Sequence, residues 1–543
     1  MKLLKFFYIL IIFLSAAIPL YSQVNYEPVT NSVYNYLNRM SNKGLISTNE
    51  EILPFSRLYI AGKLNALRDK IQVSHLEKTE LDFYLKEFSS EMLKQLPDTS
   101  QIKHNNLAFG FNNNCRFRLF NFESPGFNLS VDPVINYSIS YSDGKNSTLR
   151  SNGLKLFGNI NDNFGFDIVL YDNRAGGDYY DASRDFTNET GYGYKKNNSD
   201  GSLDFDYVRA NLTYSWDWGN ITIGKDFNYY GTGESGNIIM SSKAPSFPYL
   251  KLEFNPVEWF RFSYIHGYLD SQILDSSTIR INPGRNHFSN VEKYFVTHMF
   301  SFTPLKNFNF SIGESVIYSD KLEPIYLIPI IPFRLADHYL TAPDERAGNA
   351  QIFGSLWYKN YSIQTKFYGS VFIDELTISN PDNPSAIAYN IGFHTIDPLI
   401  PESELIAEYT KIQPFVYSHI DPAQTYNNFG YQLGHWIGEN SDQLYLKLRK
   451  RIIRGLNFDL YYSYIRKGEL AVPGGERYKP NQNFLWGLKK YYSLYGFQLS
   501  YEFMHSLYLK INYNINKTEE EIINGNYINT NFNEFSFLIS YGL

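Results

Sequence analysis

The side chains best suited to chemistry in this sequence are charged and aromatic rather than nucleophilic. Lys447-Leu-Arg-Lys-Arg451 sets cations at alternate positions, and Leu444, Leu446 and Leu448 occupy the intervening face of an extended segment. Lys447, Arg449 and Arg451 therefore share one face. Like charges so placed need partners, either acids on neighbouring strands or an acidic polymer. A second group is Tyr179, Tyr180, Tyr192 and Tyr194, within the Asp- and Asn-rich stretch Gly176–Gly201. Exposed, they would offer flat faces and hydrogen bonds to a sugar chain. Each such bond contributes only about 0.5–1.5 kcal/mol net, so affinity would come from repetition. Packed inward, the same rings would fill space among loops.

Signals for catalysis are weak. Gly231-Thr-Gly-Glu-Ser-Gly236 has the glycine spacing of a dinucleotide loop, but Ala244-Pro245 follows instead of a long helix, so a tight loop or bulge is expected. The ten histidines include no pair at helical spacing, and neither HExxH nor GxSxG occurs. No metal or other cofactor is expected, and the chain does not read as an enzyme. With 49 basic against 55 acidic residues it is also not a nucleic-acid binder. The one cysteine, Cys115, has no internal disulfide partner.

The elements that must position these groups fall into three blocks. Lys2 and Lys5, the apolar run Phe6–Leu20 and the small Ser22 form a signal peptide, with cleavage expected between Ser22 and Gln23 and export the consequence. Residues 23–100 read as a periplasmic helical domain. Val33, Tyr36, Leu37 and Met40 share one helical face; Ser56 caps a second helix bearing Ile60, Leu64 and Leu67. Ser74 with Glu77 forms a capping box before Leu81, Leu85, Phe88, Met92 and Leu96. Three short amphipathic helices need a common core, so a small bundle is expected.

From residue 101 the period becomes two. Phe164, Phe166, Ile168 and Leu170 alternate with smaller or polar residues, as do Leu203, Phe205 and Tyr207, and Phe260, Phe262 and Tyr264. So do Leu456–Tyr464, Tyr495–Phe503 and Phe535–Tyr541, each with one apolar face. Aromatics make up 17% of the chain, with 46 Tyr and 42 Phe, which suits girdles at two membrane interfaces. Mean hydropathy is only −0.34, because alternate residues of a membrane strand face water. Residues 101–543 are thus expected to form a large antiparallel transmembrane β-barrel of roughly 16 to 18 strands. Gly176–Gly201 and Asn380–Pro384 read as loops, and Lys517–Asn526 as the tip of the last hairpin.

Between residues 221 and 465 a series of short motifs occurs in order: Ile223-Gly-Lys225, Tyr230-Gly-Thr-Gly233, Ser241-Ser-Lys-Ala-Pro245, Ile312-Gly-Glu314, Tyr326-Leu-Ile-Pro329 and His338. Phe372-Ile-Asp-Glu375, Glu408-Tyr409-Thr410, Tyr417-Ser-His419, Leu433-Gly-His435 and Ser441-Asp442 follow. Their order resembles the Wzi capsule-assembly family. The resemblance implies an 18-stranded outer-membrane barrel with a periplasmic helical domain, which retains or organises capsular polysaccharide without catalysis. On that reading Glu314, His338, Glu408, His435 and Asp442 are expected in the lumen, in a hydrogen-bonded network bracing the wall or a plug. Pro329 and Pro332 would take Tyr326–Phe333 out of strand geometry, folding inward.

The expected partners are capsular or extracellular polysaccharide, outer-membrane lipid and lipopolysaccharide, and a periplasmic protein reached through the helical domain. A porin-like transport barrel and a scaffold of a motility or secretion assembly are the alternatives.

Overall fold

The computed structural model describes residues 25–70, 73–93, 109–111, 116–282, 285–340, 348–375, 385–398, 400–470, 483–523 and 525–542. The expected signal peptide, Leu96, Cys115 and the loop Asn380–Pro384 lie outside them. Helices α1 (Val33–Asn42), α2 (Arg57–Asn65), α3 (His75–Glu87) and α4 (Ser89–Leu93) come first. The Ser56 side chain accepts from Tyr59 N, and Ser74 with Glu77 completes a capping box, so both helix starts follow from local residues. The third expected helix is broken at Phe88, which leaves helical geometry at φ −97°, ψ 20°. Val33, Leu37, Met40, Ile60, Leu64 and Phe88 are fully buried in one core, and burying each such side chain contributes about 1.5–3 kcal/mol.

Eighteen long strands then close a barrel in which sequence neighbours pair antiparallel. They are β1 (Phe127–Ser142), β2 (Lys145–Ile160), β3 (Phe164–Gly177), β4 (Leu203–Trp216), β5 (Gly219–Asp226) and β6 (Phe247–Val257). Next come β7 (Phe260–Leu274), β8 (Asn290–Leu305), β9 (Phe308–Ser319), β10 (Asn349–Asn360), β11 (Thr365–Glu375) and β12 (Ala386–Ile396). The last are β13 (Ser403–Ile412), β14 (Ser441–Ile453), β15 (Leu456–Lys467), β16 (Lys490–Met504), β17 (Leu507–Ile523) and β18 (Asn526–Tyr541). β18 pairs with the upper half of β1, from Glu534↔Ser142 to Tyr541↔Ile135, and Phe120–Ser124 pairs with its lower half. Closure leaves no open sheet edge along the paired length, which a hydrocarbon environment requires. Strands β17 and β18 pair as far as Ile523↔Asn526, so the last hairpin is paired through most of the stretch read as its tip.

The ends differ. One carries short turns such as 217–218, 306–307 and 505–506, and the helical domain caps it. Arg39 reaches Asp397 at 2.8 Å and Glu404 at 3.4 Å, Arg451 meets Glu402 at 3.0 Å as well as Glu80, and Phe83 stacks on His505 at 3.7 Å. The other end carries long segments at 178–202, 227–246, 320–348 and 413–440. No helix among the described residues is long and apolar enough to cross a membrane. A belt of exposed side chains including Ile223, Phe310, Ile312, Leu356, Ile391 and Leu460 encircles the strands instead.

Candidate functional site

The lumen is filled from both ends. From the short-turn end, residues 48–53 rise between the strands. Glu50 meets Lys359 at 2.7 Å and Lys366 at 2.6 Å, and Ile52 and Leu53 pair with Tyr230 and Tyr229 of the opposing loop. Burial alone would raise the Glu50 carboxyl, but the two ammonium groups hold it well below the ordinary value. Glu51 beside it is pushed up to about 7 by burial.

From the other end, segments 227–246 and 413–440 fold inward and knit together. Tyr417 donates to Ile238 O at 2.6 Å, Tyr426 to Ile239 O at 2.9 Å, and Ser241 N to Leu433 O at 2.8 Å. Lys243 extends the knot outward: its ammonium donates to the carbonyls of Thr187 at 2.9 Å and Glu189 at 3.1 Å, and to that of Arg184. Burial lowers this lysine to about 8.

Gly231–Gly236 sits at the centre of this plug and does bind an anion, but one belonging to the barrel. Glu408 projects inward from β13. It accepts from Glu234 N at 2.7 Å, Ser235 N at 3.1 Å and Tyr368 OH at 2.8 Å, and from the Ser235 hydroxyl. Successive backbone N–H groups make an anion-binding concavity, and a carboxylate fills it here. His435 packs against the same loop: a Cβ on Gly236 would fall 2.8 Å from its ring. Burial lowers His435 to about 3, so the imidazole is neutral at physiological pH.

Lys447, Arg449 and Arg451 face the lumen, and acids neutralise all three. Lys447 lies 3.5 Å from Glu234 and 3.6 Å from Asp459, Arg449 is 2.9 Å from Asp459, and Arg451 is held by Glu402 and the helical domain's Glu80. Tyr192 is buried in the plug core beneath Arg184, whereas Tyr194 is 59% exposed at the rim. Tyr180 donates to Gly201 O, and Tyr179 lies 3.5 Å from Glu534.

Other expected lumenal residues lie on the outer wall. Glu314 projects outward between the exposed Ile312 and the buried Val316. Its carboxylate accepts from Arg334 N at 3.1 Å, at the start of helix α5 (Phe333–Leu340). Segment 323–340 folds outward, not inward, as a strap over β6–β9. Pro329 O lies 2.9 Å from Nδ1 of the outward-facing His298, and Tyr326 and Phe333 pack on Phe262, Tyr264, Val316 and Tyr318. Its apolar residues have two suitable greasy surroundings, and the wall supplies polar groups such as Tyr264, which donates to Tyr326 O, to satisfy the strap's backbone. His338 lies in α5, and its side chain is outside the described residues.

Asp442 and Tyr409 also face outward, hydrogen-bonded to each other at 2.9 Å, with Arg466 on Asp442. Lys225 likewise projects outward and donates to Val208 O at 3.0 Å. The family resemblance implied a lumenal place for Glu314 and Asp442. Near the rim, however, the outer face is polar as well. Sequence reasoning missed Ser235, Tyr368, Lys243 and Glu50. Their partners lie tens to hundreds of residues away; Ser235 and Lys243 sit in quoted motifs, but Tyr368 and Glu50 sit in none.

A closed antiparallel barrel with an apolar belt and an internal plug is an outer-membrane protein by architecture. The chain belongs to the capsule assembly protein Wzi family, whose model matches residues 122–519. Among solved structures it is similar to Wzi of Escherichia coli, described as an outer-membrane protein involved in group 1 capsule assembly and a carbohydrate-binding β-barrel. That likeness has 12% identity and a TM-score of 0.55, and covers 96% of this chain and 99% of that one. At such identity it shows a shared fold. OccAB1 of Acinetobacter baumannii (10% identity, TM-score 0.44, 76% of this chain and 96% of that one) and OprD of Pseudomonas aeruginosa (11%, 0.42, 76% and 93%) also match. No curated protein matches in sequence.

Proposed function

We propose that this protein is a non-catalytic outer-membrane barrel that binds or organises capsular or extracellular polysaccharide at the cell surface. The observation that carries the reading is the knotted plug. Segments 227–246 and 413–440 are tied to each other, to Glu408 of the wall and to the rising 48–53 segment, which favours a surface platform over an open pore. Membership of a capsule-assembly family supports the same reading.

In this scheme the signal peptide is removed near Ser22/Gln23, residues 23–100 stand in the periplasm against the short turns, and the long segments face outward. The barrel from residue 101 onward sits in phospholipid and lipopolysaccharide, and the helical domain is free to meet a periplasmic partner. Because Lys447, Arg449 and Arg451 are paired, glycan binding is expected to depend little on salt.

The test has two parts. Deleting the gene is expected to release surface polysaccharide into the medium, seen by capsule staining and sugar analysis. The purified protein is expected to bind that polysaccharide without cleaving it. Full retention of the polysaccharide in the deletion strain, together with stepwise conductance of the pure protein in planar bilayers, would favour a porin-like barrel instead.

A further inference from the structure

The plug does not fill the lumen evenly. Inward-facing residues of β9, such as Asn309, Ser311 and Ser315, are buried, whereas Asn512, Asn514 and Asn516 of β17 are half-buried, as are Ser138 and Ser140 of β1 and Ser536 of β18. The wall of β16–β18 and the adjoining part of β1 therefore borders solvent inside the barrel, with Tyr461 of β15 at its edge. A cavity of about 340 Å3 lies above the helical domain, lined among others by Lys155, Asp167, Arg209, Asp226 and Lys510.

One place on this open wall has the form of a built surface. Tyr461 faces inward from β15, and its register partner on β16 is Gly496. A Cβ on Gly496 would fall 2.3 Å from the Tyr461 ring, so the absent side chain lets the ring lie flat across the wall. The phenol donates to Asn514 Oδ1, which fixes the ring's orientation. Beside it runs a row of polar side chains across four strands, Gln498, Asn512, Ser536 and Ser140, set by the strand register. Asn512 Nδ2 donates to Ser536 Oγ at 3.0 Å. On the other side of Tyr461 its register partner is Lys447, whose charge is offset by Glu234 and Asp459.

We propose that this wall is a glycan subsite within the lumen, and that it takes an uncharged pyranose unit. This rests on the polysaccharide-binding function proposed above and moves the contact from the loop tips to the barrel interior. A pyranose ring presents a C–H face and a rim of hydroxyls. The negative face of a flat-lying tyrosine attracts the first, and amides and hydroxyls that both donate and accept match the second. Amide and hydroxyl groups dominate the row, Lys447 is offset by Glu234 and Asp459, and Glu534 borders the row beside Asn514, so the surface matches a neutral sugar better than a uronate.

Two measurements test it on the full-length protein. In a Cys115→Ser background, Ser536→Cys is probed on intact cells with a small membrane-impermeant maleimide, and Tyr194→Cys is the exposed control. Labelling at both positions is expected. Labelling at 194 alone means the inner wall is closed to the outside and overturns the inference whatever the glycan does.

The purified variants are then titrated with polysaccharide released from the surface of the host strain. Tyr461→Ala and Gly496→Leu, the latter displacing the ring, are expected to bind roughly tenfold more weakly, and Tyr461→Phe like the parent. Unchanged binding by correctly folded Tyr461→Ala and Gly496→Leu refutes the subsite and leaves the surface-polysaccharide function standing. Absence of binding by the parent protein refutes that function and the subsite with it.

Discussion

Strands β9 and β17 carry similar inward-facing residues, yet one wall is sealed and the other is wet. On β9, Asn309 donates to Ser301 at 3.0 Å and to Thr303 at 2.9 Å, Ser311 to Ser301 at 2.9 Å, and Ser315 to Gln351 at 2.8 Å. These groups answer one another because no water reaches them. On β17, Asn512, Asn514 and Asn516 retain partial exposure. The plug packs its apolar core against β3, β4, β6–β13 and Ile465 of β15, so the same residue types brace the barrel there and border open space opposite. Polar lining by itself therefore does not distinguish a wall that holds the fold together from one available to a ligand.

The sharpest way to break this contrast is on the sealed side. Glu50→Ala leaves Lys359 and Lys366 buried without their shared carboxylate, and a loss of about 3–5 kcal/mol is expected in urea unfolding of the lipid-reconstituted protein. Glu408→Ala orphans the N–H groups of Glu234 and Ser235 and the Tyr368 hydroxyl. A cost of about 3 kcal/mol and the appearance of brief conductance steps are expected, because the loop loses its anchor to the wall.

Acid provides the third perturbation. Burial depresses His435 in the folded state, so below pH 6.5 the unfolded chain binds a proton that the folded chain refuses. Stability from this residue is complete above pH 6.5 and falls as pH drops towards about 3. Near pH 5 the loss is about 2 kcal/mol. It should appear as a lower urea midpoint at pH 5 than at pH 7, with the difference reduced in His435→Gln. The smallest effect belongs to the open wall: Asn516→Ala is expected to change stability by no more than about 0.5 kcal/mol in the same assay. A large loss there would show that the open wall is braced as well.

Much of the fold was legible in sequence. The helical starts at Ser56 and Ser74 follow from caps within one turn, and the strands follow from a period of two in segments such as Leu456–Tyr464 and Tyr495–Phe503. The direction of each face was less legible. Leu203, Phe205 and Tyr207 turn their apolar side inward onto the plug, while Glu314, Asp442, Tyr409 and Lys225 point outward. Alternation separates two faces without labelling them, and a lumen packed with loops accepts apolar side chains as readily as lipid does.

Local order was thus determined by the sequence alone: which residues extend, which coil, and which stand on a common face, because these depend on neighbours within a few positions. Tertiary structure decided which carboxylate fills the Gly231–Gly236 loop, that Tyr326–Phe333 straps the outside of the wall, and which half of the lumen stays wet. Those outcomes depend on contacts such as Ser235 with Glu408 and Ile52 with Tyr230. Groups so far apart along the chain meet only after the strands have closed, and no local pattern encodes the meeting.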